Sequence, residues 1–364
     1  MTPKTAIRAE AETLFAAIAA TGAQPVEADL LLPAETLLDL YGEDIRARAY
    51  VTHDPVRGEM MLRPDFTVPV VQAHMEHGAE PARYCYMGEV FRQQYHLGPR
   101  QSEYVQVGYE VFDGSDPLAA DAEVFALFMG LLAPLGLRAA TGDIGILRAA
   151  VQGLTTTDRR KAALLRHLWR PRRFRALLDR FGGRVPVPAP RQALLDRLTR
   201  GEDVLEGLVQ TGLRTPAEIR DRLTALQEDA AAPPIAAAEL QLLEAVLSVR
   251  DKSPAALARL QAMAGDHPAL QPAVARLALR LARLADRGVD VESLDFEASY
   301  GRTTMEYYDG FVFGFYAETD PELPPVASGG RYDALTRMLG QGRSIPAVGG
   351  VIRPGLVARL KGVL

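Results

Sequence analysis

Four side chains bear oxygen acceptors that could grip an ammonium group: Asp65, Thr67, Gln106 and Glu110. A free amino acid presents such a group beside a carboxylate and a side chain, and charged acceptors hold it best. The stretch from Tyr104 to Phe112 has the alternation of a strand, which puts residues 104, 106, 108 and 110 on one face. Gln106 and Glu110 then flank Gly108, whose missing side chain leaves space for a ligand. An edge strand with a polar solvent face fits the same pattern. Tyr307 and Tyr308 carry hydroxyls that can hydrogen-bond both nitrogens of an imidazole, or a carboxylate. They also fit two ordinary strand residues, one inward and one outward. In Ser328-Gly-Gly-Arg-Tyr-Asp333 the paired glycines allow close backbone approach to a ligand, and Tyr-Asp begins a helix.

Several elements must position these groups. Ala6 to Ala20 reads as an amphipathic helix with Ile7, Leu14, Phe15 and Ile18 on its apolar stripe, stopped by Gly22. Tyr84 to Phe91 and Tyr104 to Phe112 read as strands around a Gly98-Pro99 loop, and Asp121 to Leu135 as a helix. Residues 151–290 are rich in Ala, Leu and Arg and read as short helices with no catalytic constellation. Thr304 to Ala317 is dense in Tyr, Phe and Val and favours β structure. Asp333 to Leu339 is a short helix, and Ala347 to Leu360 a strand followed by a helix. The expected organisation is one mixed α/β domain formed by residues 1–150 and 291–364, with the helical stretch 151–290 inserted into it.

Composition narrows the function. The 364 residues are 48% hydrophobic, enough for a substantial core, and the net charge of −5 argues against broad nucleic-acid binding. Cys85 is the only cysteine, which rules out an internal disulfide; its place between Tyr84 and Tyr86 suits a buried, inert thiol. The lysines are Lys4, Lys161, Lys252 and Lys361, and none follows a glycine, so a Walker-type phosphate loop is absent. Arg170 to Arg175 reads as a solvated helix face. His74-Met-Glu-His77 lacks the spacing of a zinc-binding helix and a third ligand, and reads as a solvent-facing pair. No metal or cofactor is expected. No apolar run is read as membrane-spanning, and the N-terminus has no signal-type stretch, so a cytoplasmic location is expected.

Five segments occur in the order found in the catalytic core of class II histidyl-tRNA synthetases: Leu62 to Thr67, Tyr86 to Arg92, Tyr104 to Phe112, Glu306 to Phe313, and Ser328 to Leu335. The chain therefore resembles that family, which implies an antiparallel sheet flanked by helices with a helical insertion. The resemblance gives Asp65, Thr67, Gln106 and Glu110 to the amino group and imidazole of histidine. It gives Tyr307 and Tyr308 to the histidine-specific tyrosine pair, and Arg92 to the arginine that contacts the substrate carboxylate and the ATP α-phosphate. The departures fall on the adenylation cations. Thr303, Ser102 and Leu356 stand where the synthetases carry arginines, although Arg302 and Arg353 lie near. Cations stabilise developing charge in adenylyl transfer, so their loss should be close to fatal to it. A further anticodon-binding domain of roughly a hundred residues would also be needed.

The whole pattern is similar to the regulatory-subunit family of ATP phosphoribosyltransferase, synthetase-like proteins that accompany the short catalytic subunit in the first step of histidine biosynthesis. That resemblance implies a non-catalytic subunit, dimeric within a hetero-octamer, that activates the short catalytic subunit and reports L-histidine as feedback inhibitor. It implies no tRNA partner and no membrane. The alternative is a divergent histidine-activating ligase.

Overall fold

The computed structural model describes residues 3–41, 48–94, 101–207, 214–302 and 307–364. The chain forms two compact units, Met1–Ile146 with Ser248–Leu364, and Leu147–Leu247. Residues 248–290, read from sequence with the helical stretch, belong to the first unit.

The first unit is built on a sheet whose described strands run in the order β1 (Gln24–Pro25), β5 (Ala82–Phe91), β6 (Glu103–Phe112), β12 (Ala347–Ile352), β11 (Ala327–Arg331), β10 (Phe311–Tyr316), β7 (Arg138–Asp143), β9 (Asp295–Glu297) and β8 (Arg250–Lys252). All neighbours are antiparallel except β1 with β5 and β7 with β9. Strands from the two ends of the chain therefore interleave. β2 (Leu31–Pro33), β4 (Gly58–Leu62) and β3 (Val51–Asp54) make a separate small sheet.

The helices follow from local sequence. α1 (Pro3–Ala19) buries Ala6, Ala11, Leu14 and Ile18, and packs on β5 and β6. α2 (Ala34–Tyr41) lies on the small sheet, and α3 (Thr67–His77) follows β4. α4 (Pro117–Leu132) starts where Asp116 accepts a hydrogen bond from the Ala119 amide at 3.0 Å and Pro117 presets the first turn. α5 (Ile144–Gln152) leads into the second unit.

That unit holds α6 (Asp158–Arg166), α7 (Pro171–Phe181), α8 (Ala189–Thr199), α9 (Pro216–Ala231) and α10 (Ala237–Leu247). α7 buries Phe174, Leu178 and Phe181 and exposes Arg172, Arg173 and Arg175. Asp229 of α9 binds Arg160 of α6 and Arg191 of α8, each at 2.7 Å.

Back in the first unit, α11 (Ser253–Asp266) and α12 (Gln271–Asp286) are followed, after further strands, by α13 (Asp333–Leu339) and α14 (Pro354–Leu360). Phe311, Phe313 and Phe315 share one face of β10 and meet Phe125 of α4 at ring-centroid distances of 6.2, 5.5 and 5.3 Å. A buried ionic network crosses this layer. Arg280 of α12 binds Asp121 of α4 and Asp143 of β7, each at 2.7 Å, and Arg331 of β11 binds the other oxygen of Asp121 at 2.7 Å.

Two expectations change. The segment Pro117–Leu135 is, by length and composition, apolar enough to cross a membrane. Here it packs against α12 and β12, with the Asp121 carboxylate buried in its ion pairs, as a core helix does. His74 does not face solvent. It is buried, stacked on Phe112 at 4.0 Å, with Nδ1 3.0 Å from the Tyr84 hydroxyl, and burial holds its pKa down to about 4. His77 is exposed, as expected. Cys85 is buried and free, and burial raises its pKa.

Candidate functional site

β6 sets the site. Tyr109 donates from its hydroxyl to Glu123 of α4 at 2.5 Å, so the odd-numbered residues of β6 face α4 and the even-numbered ones the opposite side. On that side Tyr104, Gln106, Gly108 and Glu110 follow one another. The register pairs Gly88 with Gln106 and Tyr86 with Gly108 on β5, and Gly349 with Glu110 and Val351 with Gly108 on β12.

A cavity of about 1140 Å3 opens over these strands. Asp65, Thr67, Arg92, Gln106, Tyr307 and Tyr308 all line it, so six of the seven ligand residues expected from sequence are brought together. The first turns of α1 form another wall, where Arg8 pairs with Glu89 at 2.8 Å and Lys4 with Glu103 at 3.3 Å.

Gln106 has an unusual environment. It is 0% exposed, and neither its amide oxygen nor its amide nitrogen has a hydrogen-bond partner among the described residues. Leaving such a group unsatisfied costs about 1–3 kcal/mol, a cost that a polar ligand would remove. Asp65 and Thr67 line the same cavity at the entry to α3, where Asp65 also accepts from the Val68 amide at 3.4 Å. Tyr308 is buried, and its ring meets that of Tyr307 at 4.9 Å in an edge-on arrangement. Burial raises the Tyr308 pKa, so its hydroxyl stays a neutral donor and acceptor. Arg92 is fixed by Nε donating to the Pro64 carbonyl at 2.9 Å, with its guanidinium 5.9 Å from the Tyr104 ring centroid.

Glu110 is the exception. It does not line the cavity. Its carboxylate accepts from Tyr86 at 2.8 Å and Thr67 at 2.9 Å on one oxygen, and from Tyr332 at 2.5 Å on the other. Burial raises its pKa to about 7, against the lowering effect of these three hydroxyls. The space over Gly108 is likewise not left for a ligand, because a side chain there would overlap the Tyr86 ring. Gly349 makes the same allowance for the Glu110 carboxylate. Glu110 thus braces Thr67 from behind the site, where sequence placed it on the wall. Tyr86 and Tyr332 were not singled out for this role. The available signal was an aromatic residue opposite a strand glycine, a pairing that covers bare backbone.

Where the resemblance sets synthetase arginines, the cavity wall carries Ser102 and Leu356. Thr303, Glu306 and the Gly98-Pro99 loop lie outside the described residues. Arg353 also lines the cavity; it donates from Nη1 to the Pro325 carbonyl at 2.6 Å and lies 3.4 Å from the Ser328 hydroxyl.

The sequence profile of the family described as Histidyl-tRNA synthetase matches residues 2–232 and 220–354. The ATP phosphoribosyltransferase regulatory subunit of Brucella anthropi is 32% identical over 344 residues, 90% of each chain. That of Brucella canis is 31% identical over the same length and shares. Among solved structures, an ATP phosphoribosyltransferase regulatory subunit/histidyl-tRNA synthetase from Bacillus halodurans superposes with a TM-score of 0.67 at 21% identity, covering 98% of this chain and 79% of that one. Histidyl-tRNA synthetase from Nostoc sp. PCC 7120 gives 0.65 at 17% identity, with 100% and 74% covered. These likenesses agree with the antiparallel sheet and flanking helices described above.

Proposed function

Because the chain belongs to the ATP phosphoribosyltransferase regulatory-subunit family, with its histidyl-tRNA synthetase-like fold, we propose that it activates a short-form catalytic subunit and reports histidine to it, without itself catalysing phosphoribosyl transfer. The observation that carries the histidine part is the orphaned Gln106 amide, buried in a cavity that also presents Asp65, Thr67, Tyr307 and Tyr308. A carboxylate suits an ammonium group, and paired tyrosine hydroxyls suit the two nitrogens of an imidazole. Feedback then requires that histidine bind two states of the complex with different affinity. The same reading takes the protein as a homodimer within a hetero-octamer, in the cytoplasm, with no tRNA partner.

Two features oppose adenylation by this chain. Ser102 and Leu356 offer the cavity a hydroxyl and an isobutyl group, neither of which brings the positive charge that an arginine would set against charge developing on phosphate. Arg92 and Arg353 in the same wall favour a second reading, a histidine-activating ligase. The test is turnover of ATP and phosphoribosyl pyrophosphate by the short catalytic subunit of the same organism, with and without this chain and then with histidine. Activation that histidine reverses is the expected result. No activation, together with histidine-dependent ATP–pyrophosphate exchange by the chain alone, would replace this reading with the ligase.

A further inference from the structure

Arg353 is placed by the register of β12 against β6. Val351 faces Gly108 and Ile352 faces Val107, so the next residue, Arg353, comes level with Gln106. Paired residues on neighbouring strands share a face, so Arg353 rises on the Gln106 side, about one strand spacing (~4.8 Å) away. Its contact with Ser328 fits, since Ser328 pairs with Val351 on that same face. On the other flank of β6, Arg92 follows β5 and its amide binds the Ser102 carbonyl at 2.8 Å. Both guanidinium groups lean toward Tyr104, between them on β6.

No carboxylate pairs with Arg353 among the described residues; its partners are the Pro325 carbonyl, the Tyr104 hydroxyl and, at 3.4 Å, the Ser328 hydroxyl. Burial lowers its pKa, and Arg92 adds repulsion. Arg353 is half-buried, and a cation drawn partly out of water is ordinarily paired with an anion, because desolvating a charge without one is costly. Arg353, Asp65 and Tyr308 all line the cavity, which therefore presents both a cation and an anion to a ligand.

We propose that Arg353 receives the oxyanion of the ligand bound beside Gln106, with Arg92 adding attraction from the far side of Tyr104. For a bound amino acid, the ammonium lies toward Asp65 and the carboxylate toward Arg353, which makes Arg353 a determinant of selectivity for the zwitterion over the corresponding amine. This deepens the histidine reading and rests on it for the carboxylate source. A phosphate from a second ligand offers the same chemistry, and the cavity exceeds the roughly 300–1,000 Å3 typical of small-molecule sites.

The experiment is calorimetric titration of the full chain with L-histidine, histamine and inorganic pyrophosphate, for the wild type, Arg353→Gln and Arg353→Lys. Removing a charge-assisted contact should weaken histidine roughly 10- to 100-fold in Arg353→Gln and less in Arg353→Lys, with histamine, which has no carboxylate, unmoved. Loss of pyrophosphate binding in Arg353→Gln with histidine unaffected would support the oxyanion site and assign it to phosphate. A wild type that binds pyrophosphate through Arg353 but neither histidine nor histamine would sink the histidine reading and keep this one. Histidine and histamine weakened alike, affinities for histidine and pyrophosphate both within twofold of wild type, or no binding of any probe by the wild type would each overturn it.

Discussion

Glu110→Gln should change the pH dependence of stability in a calculable way. The Glu110 carboxyl is 1% exposed and its pKa is raised by burial to about 7 from an ordinary value of 4.5. Between those values the folded protein holds a proton that the unfolded chain has released, so stability falls as pH rises. The loss is absent below about pH 4.5, grows through the interval, and levels off above pH 7. At about 1.4 kcal/mol per pH unit it amounts to about 3 kcal/mol. Glutamine keeps the shape and cannot titrate. His74, with its pKa lowered to about 4, acts with the opposite sign, since the unfolded chain binds protons that the folded one rejects between about pH 4 and its ordinary 6.5. Comparing wild type with the variant cancels that contribution. Urea unfolding of both proteins at half-unit steps from pH 4.5 to 8 would read the difference. The wild type should lose about 3 kcal/mol relative to Glu110→Gln across the range. Parallel curves would mean that Glu110 is ionised throughout, with its three hydroxyl donors outweighing burial.

Gln106→Leu removes an amide without partners, so the free protein should be as stable or gain about 1 kcal/mol while histidine affinity falls at least tenfold; thermal melts with and without histidine read both. Tyr307→Phe and Tyr308→Phe should each weaken histidine inhibition about 3- to 10-fold, the worth of one hydrogen bond, and leave activation of the catalytic subunit largely intact in a turnover assay. Arg280→Met leaves Asp121 and Asp143 buried without their shared cation, and should cost about 3–5 kcal/mol in urea unfolding, far more than loss of an exposed pair such as Lys4–Glu103.

Much of this arrangement is legible where local rules dominate. Alternation of β-branched and aromatic residues marks β5 and β6 to within two residues, and Pro354 locates the change from β12 to α14. Alternation also puts Gln106 and Glu110 on one face correctly. What fills the space beside them depends on which residue of β5 lies opposite Gly108, and no spacing within β6 encodes that Tyr86 does. The exchange of Glu110 from wall to brace follows from that pairing. The burial of His74 is likewise set by contacts with Tyr84 and Phe112 on other elements. α11 and α12 look like their helical neighbours in composition; long-range contacts such as the pair of Arg280 with Asp121 and Asp143 tie α12 to the sheet layer.

The interleaving of strands from both ends of the chain has a consequence for biosynthesis. Asp143 of β7 pairs with Phe311 of β10, which leaves the ribosome roughly 170 residues later. At about 5–20 residues per second, β7 waits on the order of ten to thirty seconds for its neighbour, and β6 waits longer for β12. During that interval the nascent chain displays open strand edges of the kind that nucleate aggregation. Yield of the protein should therefore respond to chaperone supply and elongation rate even where the finished fold is stable.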